Sequence, residues 1–272
     1  MRGADVLVQM LINYGVDVLF GVPGDTNVPF YEALQRRESD IEHVMARDER
    51  SAGYMADAYA RLTDKPGIFE CPSGAGAMYS LPPLAESNAS SVPVILLTID
   101  LPLPGEGRGM ITELDCARLF EPVTKMSVQV KSPEKLPEIV RRAFRVACSG
   151  TPGAVHLQIP EDMLLADIDL ATVSLHAEPE CKTFYEAVAK TLRGAERIVL
   201  AFGNAVGARG AVNTLLAELR LRHRDLAERV FGTFSVDEQN PSEARLLDTA
   251  RDFYSRHQFR RESPGPSRRE DG

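Results

Sequence analysis

A chain of 272 residues, 44% hydrophobic and 26% charged, has the balance of a globular protein with room for one large domain or one and a half ordinary ones. A net charge of −8 excludes a general nucleic-acid binder, which presents a basic face, and no apolar run approaches the roughly 20 residues that span a bilayer. The four cysteines (Cys71, Cys116, Cys148, Cys181) form no CxxC pair and the five histidines are scattered, which argues for reduced thiols and against a zinc site.

In chain order, Val6, Leu7, Met10 and Leu11 recur at helical spacing, and Gly15 ends that helix. Asp5, Gln9 and Asn13 interrupt any signal-peptide core, so the expected location is cytoplasmic. Residues 16–22 read as a short apolar strand, followed by the turn Pro23-Gly24-Asp25. Asp25 or Thr26 can cap the next helix, through Phe30, Tyr31 and Leu34. Then come a strand over 41–46, a helix over 48–62, a strand over 67–71 and the small-residue turn Ser73-Gly74-Ala75-Gly76-Ala77. A helix is expected from that turn to about Asn88. The continuous apolar run 92–99 suits a strand buried on both faces. A Pro/Gly-rich loop over 100–115, a helix over 133–148 and a strand over 154–159 complete the series. This alternation implies an α/β fold with a doubly wound, mostly parallel sheet of five or six strands.

The organisation expected is one sheet domain over 1–165, a linker over 166–182 and an incomplete α/β unit over 183–222. That unit offers helix 187–192, strand 198–202, glycines 203, 207 and 210, and helix 211–222. Residues 223–272 are expected to be an irregular tail, polar and Arg-rich from 255 onward.

Three places can carry chemistry. Gly21-Val22-Pro23-Gly24 ends the first strand, where it is either an ordinary strand–helix turn or a backbone that approaches a ligand. Glu49 sits where the 41–46 strand runs into a helix, at the edge where open α/β sheets bind ligands, although a first-turn Glu is often only dipole-favoured. The 73–79 turn is a weak dinucleotide fingerprint, with Tyr79 where a third glycine belongs, and it lacks the Gly-Lys-Ser/Thr of a Walker loop. Asp57 and Arg61 are expected to form a surface (i, i+4) ion pair, and no metal site is apparent.

Residues 46–61, Ala-Arg-Asp-Glu-Arg-Ser-Ala-Gly-Tyr-Met-Ala-Asp-Ala-Tyr-Ala-Arg, closely resemble the glutamate helix of the pyrimidine-binding domain of acetolactate-synthase-like thiamine-diphosphate enzymes. Ser73 to Tyr79 resembles the family's Ser-Gly-Pro-Gly-Ala-Thr-Asn turn, with Ala75, Met78 and Tyr79 as departures. Residues 110–115 resemble its Phe-Gln-Glu-x-Asp stretch, with Ile111 and Thr112 replacing Phe-Gln. Lys125 matches a family lysine, and Thr151-Pro152-Gly153-Ala154-Val155-His156 resembles the closing strand.

The resemblance implies carbon–carbon bond cleavage or formation at a 2-keto acid, with Glu49 as the carboxylate at the aminopyrimidine ring. It implies cofactor contacts at Val22, Pro23, Gly24, Gly74, Gly76 and Ala77. It implies a substrate pocket near Asp25, Tyr79, Ile111, Thr112 and Lys125. The family's metal–diphosphate signature, Gly-Asp-Gly with a downstream Asn, does not occur; Gly24-Asp25-Thr26 and Glu270-Asp271-Gly272 are the nearest strings. The expectation is therefore a half-site for thiamine diphosphate, with magnesium and the diphosphate held by a partner domain in a homodimer or a second subunit. The chain is then expected to be a truncated product, a frameshift product or one half of a split enzyme, inactive alone. On FAD these residues are silent. A non-catalytic binding or regulatory remnant, or an unrelated nucleotide-binding α/β enzyme using the Gly74–Gly76 turn, are the competing readings.

Overall fold

The computed structural model describes residues 1–63 and 65–177, and the backbone of 198–203 and 230–236. The chain divides into two units, Met1–Thr183 and Phe184–Gly272. The first unit is a six-stranded, all-parallel sheet. Its strands are β1 (Val18–Gly21), β2 (Glu42–Met45), β3 (Gly67–Pro72), β4 (Val94–Asp100), β5 (Met126–Gln129) and β6 (Ala154–Pro160). Their spatial order is β2-β1-β3-β4-β6-β5. Every residue of β4 and β6 is buried, which is why these strands read as near-continuous apolar runs without alternation.

Two hydrophobic layers sandwich the sheet. On one face α1 (Gly3–Asn13), α2 (Val28–Gln35), α7 (Leu136–Cys148) and α8 (Glu161–Leu165) pack on Leu19, Ile68, Ile95, Leu97, Val155 and Leu157. On the other, α3 (Glu49–Thr63), α4 (Ala75–Tyr79), α5 (Leu81–Ala89) and α6 (Cys116–Phe120) pack on Phe20, Phe69, Val94, Leu96 and Ala154. Alternate residues of one strand thus feed opposite cores.

Several elements differ from the sequence reading. In place of the 73–77 turn followed by one helix to about Asn88 there are two helices, α4 from Ala75 and α5 from Leu81, broken at Ser80, because Pro82 and Pro83 have no N–H for the preceding turn and fit only the first turn of a new helix. Strand β5 is an edge strand of four half-buried residues, so it carries no clear alternation and escaped notice. Residues 166–177 pack along the sheet unit instead of leaving it. Gly3 N–H donates to Ala166 O, Ile168 is buried, and Asn13 Nδ2 donates to Leu175 O. The Asp57 carboxylate is buried, not superficial: Arg61 Nε lies 2.5 Å away and Ser87 Oγ donates at 2.8 Å.

In the second unit, β7 (Ile198–Gly203) pairs in parallel with β8 (Val230–Val236). No element was expected after residue 222, yet Val-Phe-Gly-Thr-Phe-Ser-Val is rich in β-branched and aromatic residues, a strand composition. The expected helices over 187–192 and 211–222 and the tail over 255–272 lie outside the described residues.

Gly53 marks a close approach of α3 to α5 and β3. A Cβ there would come 2.7 Å from Pro83 Cβ and 3.1 Å from Phe69 Cε2. Alanine raises helix propensity by about 1 kcal/mol, but overpacking costs about 1–3 kcal/mol. Gly53→Ala is therefore expected to lower the urea midpoint of unfolding. A raised midpoint would show that this contact is loose.

Candidate active site

The strand order fixes where a ligand can sit. From β1 the chain crosses to β2 on one side and to β3 on the other, so β1/β3 is a switch point. Gly21 pairs with Met45 and with Glu70, and Pro72 with Ile99, so residues 22–27, 46–48, 73–74 and 101–115 all leave from one edge.

Glu49 is the first residue of α3. Asp48 caps that helix by accepting from the Ser51 N–H at 2.9 Å, and this bond holds its carboxyl below the ordinary value. Glu49 is 8% exposed, and no hydrogen bond from another described group reaches its carboxylate. A Cβ on Gly76 would come 2.9 Å from Glu49 Oε1, so the carboxylate lies against the turn between β3 and α4. Pro72 is wedged between two glycines: a Cβ on Gly24 would stand 2.6 Å from it, and one on Gly76 2.9 Å. The 22–24 turn, the 73–77 turn and the start of α3 therefore meet at one crevice.

Gly74, with φ +66°, has a backbone that side chains disfavour. Thr112 lies over it: a Cβ on Gly74 would come 2.7 Å from Thr112 Cβ, and Ser73 Oγ lies 2.8 Å from Thr112 Oγ1. Thr112 also has φ +66°, a strained conformation for a β-branched residue, held by this contact. Gly76 and Ala77 are buried, Val22 is half-buried, and Pro23 and Asp25 are exposed. Tyr79 is exposed, with the Arg50 guanidinium 5.7 Å above its ring, and Ile111 is 87% exposed.

Lys125 stands apart from all of these. It precedes β5, at the amino ends of the strands, and its ammonium donates to Val146 O and Ser149 O at the end of α7. There it caps a helix C-terminus, which a cation stabilises, on the edge opposite the crevice.

Two polar clusters were missed in the sequence. Glu70, wholly buried in β3, accepts from Asn27 Nδ2 at 2.6 Å and from Tyr31 Oη at 2.5 Å, with His43 Nε2 at 3.5 Å. Burial pushes its pKa up, against the pull of these partners, and burial beside Glu70 pushes the Tyr31 phenol up. A charged residue inside an otherwise apolar strand was the available signal. The second cluster is His156 between Ser127 and Thr98, with Asp100 accepting from Gln158 Nε2 at 2.6 Å. Burial pushes the Cys71 thiol up to about 12 and also raises Cys116, so neither is a nucleophile near neutrality.

Among the described residues, no group of three or more His, Cys, Asp or Glu side chains could hold a metal ion. Among the same residues, no helix is long and apolar enough to cross a membrane.

A parallel sheet with glycine turns at the carboxyl ends of its strands, beside a buried carboxylate that has no hydrogen-bond partner among the described residues, has the arrangement of a ligand-binding α/β domain. Residues 1–119 match the profile of the thiamine pyrophosphate enzyme N-terminal TPP binding domain; thiamine pyrophosphate is thiamine diphosphate. The chain is 34% identical over 226 residues to the probable acetolactate synthase large subunit of Methanocaldococcus jannaschii, covering 79% of this chain and 38% of that protein. It is 37% identical over 219 residues to the acetolactate synthase isozyme 2 large subunit of Escherichia coli K12, covering 79% and 39%. With the acetolactate synthase of Arthrospira platensis it shares 39% identity over 175 residues, covering 64% and 30%. The chain belongs to the acetolactate-synthase-like thiamine-diphosphate enzymes, as their N-terminal region. It spans under half the length of the curated relatives it matches.

Proposed function

We propose that this chain supplies the aminopyrimidine half-site of an acetolactate-synthase-like enzyme that joins or cleaves 2-keto acids in the cytoplasm, as a transferase or lyase. The observation that carries this is Glu49, a carboxylate with no hydrogen-bond partner among the described residues, at the crevice where two glycine turns meet. When bound, thiamine diphosphate supplies a nucleophilic carbon and an electron sink next to a keto group. Glu49 holds and shares a proton with the pyrimidine ring, which a carboxyl in a partly dry crevice does well. Gly24 and Gly76 leave backbone free to approach the ring, with Val22, Pro23, Gly74 and Ala77 lining it. Asp25, Tyr79, Ile111 and Thr112 stand on the substrate side.

In this reading residues 1–165 are the pyrimidine domain and 183–222 open a central domain. The described residues suit the ring and offer no metal–diphosphate cluster. In this reading magnesium and the diphosphate are held by a partner that carries the Gly-Asp-Gly signature. Exposed Met45, Met78, Tyr79 and Ile111, on the elements framing the crevice, suit such a covering surface.

Calorimetric titration of the chain with thiamine diphosphate, with and without magnesium, tests this. Few contacts to a neutral ring give binding around millimolar, barely strengthened by magnesium, and no decarboxylation of pyruvate by the chain alone. Micromolar, magnesium-dependent binding would overturn the half-site. Turnover on mixing with a chain that carries Gly-Asp-Gly supports the catalytic role. Binding without turnover in that mixture favours the regulatory remnant instead.

A further inference from the structure

The buried Glu70 cluster lies beside the crevice but not in it. Its carboxyl occupies the space over Gly21, where any Cβ would overlap it. Asn27 joins it to the 22–24 turn by three bonds. Asn27 Nδ2 donates to Glu70 Oε2 at 2.6 Å and to Val22 O at 3.0 Å, while Asn27 Oδ1 accepts from the Gly24 N–H at 2.7 Å. Asn27 is itself fully buried. With only the Val22 carbonyl as acceptor, its amide could swing out of line with Gly24. With Glu70 as second acceptor, both amide hydrogens are engaged and the plane of the group is set.

The other side of the carboxyl is equally defined. Tyr31 Oη lies 2.5 Å from Glu70 Oε1 and 3.0 Å from His43 Nε2. Glu70 therefore ties β3, β2, α2 and the 22–24 turn into one network. Taking a carboxyl wholly out of water in a strand is costly. A group retained against that cost has its use in what it orients.

We propose that Glu70 is a positioning residue of the aminopyrimidine site, which through Asn27 sets the 22–24 turn against Pro72 and so shapes the backbone surface the ring meets. This rests on the half-site reading above, but the brace itself is a property of the free protein.

The test is amide hydrogen exchange at Gly24, followed by NMR on the full chain, before and during titration with thiamine diphosphate. Glu70→Leu is expected to lower the unfolding midpoint, because it strips an acceptor from the buried Asn27 and from Tyr31, and to accelerate Gly24 exchange about tenfold more than exchange at core amides of β4. Binding should weaken about five- to tenfold, the change a lost hydrogen bond produces. Glu70→Gln is expected to keep Gly24 protected. Its oxygen can serve Asn27, and its amide can donate to Tyr31, whose hydroxyl then donates to His43. In an Asn27→Ala background Glu70→Leu should add nothing to Gly24 exchange, since the link is already gone. If Glu70→Leu fails to fold, Glu70→Met, equally deep and without oxygens, takes its place. Gly24 protected as in the parent in the apolar variant would overturn the proposal. So would additive effects in the Asn27→Ala background. If the parent chain shows no thiamine-diphosphate shifts at all, the half-site reading fails while the exchange data still decide the brace.

Discussion

Glu49→Gln is expected to leave the fold intact and to remove most of the turnover of the completed enzyme, on the order of 10²- to 10⁴-fold in kcat, the usual worth of a positioned acid–base group. The two halves of this expectation rest on different observations. Among the described residues no hydrogen bond reaches the Glu49 carboxylate, so an isosteric amide breaks none there. The structural loss is the favourable placement of a negative charge at the start of α3, worth about 0.3–1 kcal/mol. For the chemistry, an amide cannot exchange a proton with a ring nitrogen. Steady-state turnover of pyruvate by the chain mixed with a subunit carrying the metal–diphosphate site gives the first number, and thermal unfolding of the chain alone gives the second. Unchanged turnover would remove Glu49 from the mechanism. A large drop in stability would mean that the carboxylate is structural, against its lack of partners among the described residues.

The crevice was legible because its markers are local. Glu49 follows a strand and opens a helix, and Gly24, Gly74 and Gly76 stand at strand ends where only small residues let Pro72 and Thr112 close in. The strand order was not legible in the same way. That β5 lies outside β6 depends on a crossover, and β5 is too short and too evenly half-buried to announce itself. Lys125 shows the consequence. Its motif gave no indication of which end of its strand it occupies, and the fold puts it at the amino end, capping α7. Glu70 was overlooked for a related reason. Its partners Asn27, Tyr31 and His43 come from other segments, and only the parallel register of β2, β1 and β3 gathers them. Periodicity reports which face a residue shares, not which distant side chain meets it there.

The stability of the sheet unit is expected to fall steeply below neutrality because of His156. Its ring is fully buried, lies tilted by 41° against Phe120 with centroids 4.3 Å apart, and sits between Ser127 Oγ at 2.8 Å from Nδ1 and Thr98 Oγ1 at 3.1 Å from Nε2. The two hydroxyls can satisfy a neutral imidazole, one accepting and one donating. Burial alone drives the pKa down to about 3. In the unfolded chain the same ring takes up its proton near the ordinary value of about 6.5. Between these values the unfolded state binds one more proton than the folded state, so stability falls as pH falls. The contribution is whole above about pH 6.5 and declines by about 1.4 kcal/mol per pH unit towards pH 3. Between pH 7 and pH 5 this amounts to about 2 kcal/mol. Glu70 and Asp100, whose pKa values are raised by burial, act in the opposite sense, gaining stability as the pH falls from their raised values to the ordinary carboxyl range, so they cannot produce the loss. His156→Gln keeps a donor and an acceptor between Ser127 and Thr98 but cannot be protonated. Urea unfolding followed by circular dichroism at pH 7, 6 and 5 should show the parent chain losing about 2 kcal/mol more than this variant over that interval. Parallel pH profiles for the two proteins would mean that the imidazole reaches water and that the seam between β4, β5 and β6 is not closed.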